Sequence, residues 1–180
     1  METTTNWNVI TGAPCSGKTS VLQELEKRGF RFVPEAARVY IEEQISKGRS
    51  LQDIRANEGE FQIGLVGIKA HIEDNLPINE IIFLDRALPD SITYYRAAGL
   101  DPSSLTTTCH HYRYRNIFIF DRLPLVYDYA RIEDESTVDF LDRQLEEDYR
   151  NLGYDVIRVP VMSVSERSEF IINKITEHHK

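Results

Sequence analysis

Five short apolar runs punctuate the chain: Trp7 to Thr11, Phe30 to Val33, Ile81 to Leu84, Ile117 to Phe120 and Val156 to Val159. None alternates cleanly between apolar and polar positions, and each is bounded by turn or charged residues. Strands of a parallel sheet read this way when both faces are covered, because neither face is left to solvent. Between the runs the apolar positions switch to helical spacing. Lys18 to Arg28 puts Val21, Leu22 and Leu25 on one face and stops at Gly29, and Glu35 to Lys47 stops at Gly48. Leu51 to Asp74 predicts one long helix with Ile54, Phe61, Leu65, Ile68 and Ile72 inward. Pro89 to Ala98 is a short helix, and Thr137 to Leu152 ends at Gly153. The last helix opens on a capping box, Ser163-Val164-Ser165-Glu166, ahead of Phe170, Ile171 and Ile175. Strands alternating with helices predict an α/β fold of three layers around a parallel sheet of these five strands, joined by right-handed crossovers.

Composition narrows the function classes. The chain has 180 residues with no low-complexity stretch or solenoid-length repeat, so 1–180 is expected to form one domain. Its 21 Lys+Arg against 29 Asp+Glu leave a net charge of −8, which argues against nucleic acid or an anionic membrane held by bulk electrostatics. No apolar run approaches the roughly 20 residues of a membrane span. The opening Met1-Glu2-Thr3-Thr4-Thr5-Asn6-Trp7 lacks the cationic and apolar regions of a secretory signal. Cys15 and Cys109 read as reduced thiols, so a cytoplasmic location is expected.

Gly12-Ala13-Pro14-Cys15-Ser16-Gly17-Lys18-Thr19 satisfies every fixed position of the phosphate-loop pattern and lies between a strand and an amphipathic helix, with Ser20 following. The physics requires that placement. Glycines let successive backbone N–H groups curl toward phosphate oxygens, and the helix start adds its positive dipole end. Lys18 would reach the β- and γ-phosphates of a nucleoside triphosphate, and the Thr19 hydroxyl would bind Mg²⁺. Cys15 reads as a small residue filling a variable loop position. Two strands end in a carboxylate followed by arginine, Asp85-Arg86 and Asp121-Arg122, either of which can supply the Mg²⁺ ligand. Asp85 is preferred, because its strand should lie beside the phosphate-loop strand. Neither strand ends in the Asp-Glu pair of motor ATPases, and no guanine-specific Asn/Thr-Lys-x-Asp motif is present.

Further segments follow in order: Val33-Pro34-Glu35-Ala36-Ala37-Arg38, Phe61-Gln62, Asp85-Arg86-Ala87-Leu88-Pro89-Asp90, Asp128-Tyr129-Ala130-Arg131, and Leu152-Gly153-Tyr154 through Val159-Pro160. Together they resemble the small stand-alone P-loop proteins of the AAA-domain family related to the ribosylnicotinamide-kinase domain. More distantly they resemble deoxynucleoside and nucleoside monophosphate kinases. The resemblance spans roughly residues 8 to 175 and implies a kinase-type strand order with a lid from Arg122 to about Ser136. It implies Glu35 as the base meeting an acceptor hydroxyl, Arg86 beside the transferring phosphoryl, and Arg131 as a lid arginine. Arg122 is a second candidate donor from the lid. The resemblance also implies Arg38, Gln62 and Asp90 on the substrate, with Tyr94 on the same helix face as Asp90.

Plainer roles compete for these positions. Glu35 also suits a first-turn helix acid, Arg38 a partner for Glu35 or Glu42, Gln62 the surface and Tyr94 the core. The acid-rich stretch from Arg131 to Arg150 reads as a solvated helix face whose sign disfavours phosphate. The adjacent histidines His110-His111 and His178-His179 lack metal-ligand spacing. The sequence thus predicts an ATP-binding protein (GTP remains possible) with Mg²⁺ as cofactor. Its expected activity is transfer of the γ-phosphoryl to a small nucleoside- or nucleotide-like acceptor near Glu35. The alternative is a nucleotide-dependent switch or slow NTPase that acts through a protein partner.

Overall fold

The computed structural model describes residues 2–123 and 135–177. In chain order the elements are β1 (Thr3–Thr4), β2 (Trp7–Thr11), α1 (Lys18–Lys27), β3 (Arg31–Val33), α2 (Ala36–Ser46), α3 (Leu51–Arg55), α4 (Glu58–Asp74), β4 (Ile82–Asp85) and α5 (Asp90–Ala97). They continue as α6 (Ser103–Cys109), β5 (Tyr112–Arg113), β6 (Asn116–Phe120), α7 (Glu135–Asn151), β7 (Val156–Val159) and α8 (Val164–Glu177). The main sheet has five parallel strands in the order β3-β4-β2-β6-β7, while β1 and β5 pair in a separate two-stranded sheet. All five apolar runs of the sequence are therefore strands of one sheet, with helices on both faces, the three-layer α/β arrangement that the sequence predicts.

The reason those runs do not alternate is visible in the core. Val9, Leu84, Ile117 and Ile119 face one way, onto Leu88 and Ile92 near α5, Leu105 of α6 and Tyr149 of α7. Their strand neighbours Ile10, Phe83, Phe118 and Phe120 face the other way, onto Val21, Leu22 and Leu25 of α1 and Ile171 and Ile175 of α8. Both faces are dry, so every strand position favours an apolar side chain. A third cluster, Ile54, Phe61 and Leu65 with Tyr40 and Ile41, joins α2, α3 and α4.

The expected helix from Leu51 to Asp74 is two helices. Ser50 and Asp53 form a capping box that starts α3, and the Asn57 side chain accepts from the Glu60 N–H at 3.1 Å to start α4. Apolar spacing continues through the break, whereas Asn57 competes locally for the backbone and restarts the helix. Short α6, with only Leu105 and Cys109 buried, and the two-residue strands β1 and β5 had no periodic signal. The capping box at Ser163 and Glu166 forms as its pattern predicts.

Candidate functional site

Parallel strands deliver their carboxyl ends to one edge of the sheet, where Thr11, Val33, Asp85 and Phe120 close β2, β3, β4 and β6. From Thr11 the chain curls through residues 12–17 into α1. Gly12 has φ 139°, and a Cβ on it would stand 2.9 Å from the Phe120 carbonyl oxygen, so only glycine lets the loop pass the end of β6. Gly17, at φ 86°, turns the chain into the helix, and Cys15 is an exposed residue at φ 60°. Lys18 is buried, and its Nζ donates to the carbonyls of Gly12 (3.2 Å) and Ala13 (3.0 Å) and to Ser16 Oγ (3.2 Å). Burial, with Arg86 nearby, lowers its pKa to about 8.

Arg86 is the centre of the opposite wall. It takes a left-handed backbone conformation, φ 65°, while its N–H donates to Ile10 O at 3.0 Å. A non-glycine residue there costs on the order of 1–2 kcal/mol, and the turn aims the guanidinium back across the sheet edge. Its Nε donates to Glu35 Oε1 at 2.9 Å, and its Cζ lies 5.1 Å from the centre of the Tyr94 ring. Burial pushes the Glu35 carboxyl up, but Arg86, Lys18 and Lys69 outweigh it and hold it below the ordinary carboxylate value.

Asp85 behaves differently. Its Oδ1 is buried with no hydrogen-bond partner, and burial followed by the negative charge of Glu35 raises its pKa to about 6. Of the two strand-end carboxylates the structure brings only this one into the cleft. Asp121 instead faces Arg158, at 3.4 Å. An orphaned carboxylate oxygen lining the same cleft as the Thr19 hydroxyl is a pair of hard oxygen donors that would suit a Mg²⁺ ion.

A cleft of about 490 Å³ contains all of this. Pro14 to Ser20 form one end. Arg38, Arg55, Phe61, Gln62 and Lys69 line the other, with Glu35, Asp85 and Arg86 between. Gln62 is buried rather than on the surface, its Nε2 donating to Glu58 Oε1 at 2.8 Å, and Arg38 is exposed at the rim. Asp90 corrects the expectation that it meets substrate. It is fully buried outside the cleft lining, with its carboxylate spent on Thr11, Arg86, Ala87 N–H and Tyr149. Tyr94, on the same helix, does line the cleft. Arg122 pairs with Asp139 of α7, and Arg131 lies outside the described residues, as does most of the expected lid.

Two cations were not foreseen. Lys69 is buried in the cleft wall with its Nζ on Ser91 Oγ at 3.1 Å, and burial lowers its pKa. Arg167 of α8 donates to Ser16 O at 2.7 Å and to Pro160 O at 2.8 Å, pinning the phosphate loop to the last helix. Both carry a faint signal. Lys69 follows Gln62 and Leu65 at helical spacing, and Arg167 precedes Ile171 and Ile175, so each is a charge at a core position.

Solved structures share this fold. Among solved structures the chain is similar to NadR protein in complex with NR, at 16% identity and TM-score 0.68 over 95% of this chain and 50% of that one. It is similar to deoxyadenosine kinase from M. mycoides with dCMP and dCDP bound, at 18% identity and TM-score 0.61 over 95% and 98% of the two chains. Shikimate kinase from Aquifex aeolicus vf5 follows at 14% identity and TM-score 0.57, over 96% and 98%. The chain spans half the length of the NadR structure, and at these identities the likeness shows the fold. No curated protein matches the chain. A family model described as an AAA domain matches residues 7–167, and the chain belongs to that AAA-domain family.

Proposed function

We propose that this protein is a Mg²⁺-dependent kinase that transfers the γ-phosphoryl of ATP to a small acceptor seated near Glu35. The observation that carries the reading is one cleft with a phosphate loop at one end and an ionised carboxylate, paired to an arginine, facing it from the next strand but one. The NR bound in the NadR structure and the dCMP and dCDP bound in the deoxyadenosine kinase structure support it by likeness of fold.

In this reading the loop N–H groups and the N-terminus of α1 bind the phosphates, and Lys18 leaves its loop carbonyls to meet the β- and γ-oxygens. Mg²⁺, bound by Thr19 and Asp85, would supply charge neutralisation at the phosphate oxygens. Arg86 faces the transferring group as a fixed positive charge that needs no reorganisation, which is where electrostatic stabilisation has most effect. Glu35 Oε1 is taken by Arg86, whereas Oε2 accepts no hydrogen bond among the described residues and can receive the acceptor proton. Arg38 and Gln62 would orient the acceptor, with Phe61 and Leu65 excluding water from its far side.

A thermal-shift panel of ATP, GTP and non-hydrolysable analogues with Mg²⁺, crossed with nucleosides, nucleotides and other small acceptors, tests the reading. A nucleotide at 100 times its Kd adds about 2.7 kcal/mol of stability, and the right acceptor adds a further shift on top of the ATP analogue. A nucleotide shift to which no acceptor adds anything would favour the switch reading over the kinase. No nucleotide shift at all would end both.

The Asp85 carboxyl also dictates a pH dependence. Because its pKa is raised to about 6, it is protonated at pH 5, and the proton competes with the cation. The Mg²⁺-dependent part of nucleotide binding is expected to strengthen about tenfold per pH unit up to that pKa and then level off. Titration calorimetry at a series of pH values measures it, and Asp85→Asn should flatten the profile. A wild-type profile already flat from pH 5 to 8 would remove Asp85 as ligand.

A further inference from the structure

The carboxylate of Asp90 lies behind the cleft with two groups of partners. Its Oδ1 accepts from the Thr11 hydroxyl and, at 3.4 Å, from Arg86 Nη1. Its Oδ2 accepts from the Ala87 N–H at 2.9 Å and from the Tyr149 hydroxyl at 2.6 Å. Asp90 and Tyr149 are both fully shielded from solvent. Arg86 Nη1 also lies 3.4 Å from the Thr11 hydroxyl, so guanidinium, threonine and carboxylate form a closed set behind the reacting edge. Arg86 has the strained left-handed backbone described above, and the residues fixing its side chain from behind are these. Tyr149 is on α7, 59 positions along the chain from Asp90, so its hydroxyl ties a separate helix to the arginine's anchor.

From this geometry we infer that Tyr149 is a positioning residue: through Asp90 it sets the orientation of the Arg86 guanidinium in the cleft. A carboxylate with four donors has one orientation about its terminal torsion. Without the tyrosine proton, Oδ2 keeps only the Ala87 N–H, and the carboxylate can rotate, taking its grip on Arg86 Nη1 with it. The consequence for phosphoryl transfer rests on Arg86 facing the transferring group, as proposed above. The structural relay does not.

The same helix pair contains its own control. Thr93 of α5 is also fully buried and donates to Asp148 Oδ2 of α7 at 2.7 Å, a link of similar chemistry that does not reach Arg86. Tyr149→Phe and Thr93→Ala should both loosen the α5–α7 seam and lower Tm. Only Tyr149→Phe should disturb Arg86.

The test is the side-chain ¹H–¹⁵Nε spectrum of the intact protein, with the Arg86 signal assigned by its loss in Arg86→Lys. Bonded to Glu35 and nearly inaccessible, the Arg86 Nε–H is protected in the native protein. In Tyr149→Phe its exchange with solvent is expected to quicken about tenfold while Thr93→Ala leaves it unchanged. Where transfer to an acceptor is measured, Tyr149→Phe lowers kcat about tenfold and leaves the nucleotide KM within about twofold. An Arg86 signal that ignores Tyr149→Phe, or responds equally to Thr93→Ala, overturns the inference. A selective Arg86 response in a protein that no nucleotide stabilises would keep the relay and overturn the kinase reading instead.

Discussion

Lys18→Ala should remove most of the nucleotide-dependent stabilisation while leaving the unliganded fold close to its native Tm. The unliganded side is fixed by burial. Lys18 is 7% exposed, and its ammonium is held by two loop carbonyls and the Ser16 hydroxyl, with its pKa already lowered to about 8. Removing it deletes those hydrogen bonds but also a desolvated charge beside Arg86, so the two effects largely offset. The liganded side has no such offset. Charge-assisted hydrogen bonds are worth about 1.5–3 kcal/mol each, so losing the lysine from the phosphates weakens binding about 100-fold. A nucleotide concentration that gave about 2.7 kcal/mol then gives about 0.4 kcal/mol. At about 2–4 °C per kcal/mol for a chain of this size, a shift of several degrees shrinks to about one. A thermal scan with and without ATP and Mg²⁺ reads this directly. An undiminished shift in Lys18→Ala would mean that nucleotide binds elsewhere than the phosphate loop.

How much of this was legible in the sequence depends on the range of the interactions. The five strands could be read because each buried residue contributes an apolar side chain wherever it points, as Val9 and Ile10 do on opposite faces. The phosphate loop could be read because its geometry forces residue types at fixed spacing, most plainly Gly12 under the Phe120 carbonyl. Glu35, Asp85 and Arg86 lie at strand ends, so knowing the strands places them at one edge, and the cleft does contain all three. Asp90 fails for the opposite reason. Its spacing from Tyr94 puts both on one helix side, yet its orientation is decided by Tyr149 and by Thr11, 79 residues away. Lys69 and Arg167 occupy core positions of amphipathic helices, where a charge reads as an irregularity until the folded neighbours are known. The break at Asn57 is a local capping choice that apolar periodicity cannot register.

Glu35→Gln is the change expected to cost most in turnover and least in binding. The substituted amide keeps an acceptor for the Arg86 Nε–H, so the pair's geometry can persist, but it cannot take a proton from an acceptor hydroxyl. Loss of a positioned general base lowers transfer about 10²–10⁴-fold, and in a loose phosphoryl-transfer transition state, where positioning outweighs basicity, the lower part of that range applies. Nucleotide affinity should stay within about twofold, because in the proposed reading the loop and Lys18, rather than Glu35, would bind the phosphates, and slow hydrolysis by water should survive. The substitution has a second, independent signature. Glu35's negative charge is the leading cause, after burial, of the raised Asp85 pKa. Neutralising it should therefore move the pH profile of Mg²⁺ binding toward lower pH, in the same variant and without any acceptor present. Glu35→Asp separates the two effects, since it restores the charge while withdrawing the carboxylate by one methylene from the acceptor. Transfer that proceeds at the wild-type rate in Glu35→Gln, with the Mg²⁺ profile shifted, would leave Glu35 as a charge that tunes Asp85 and would place the base elsewhere.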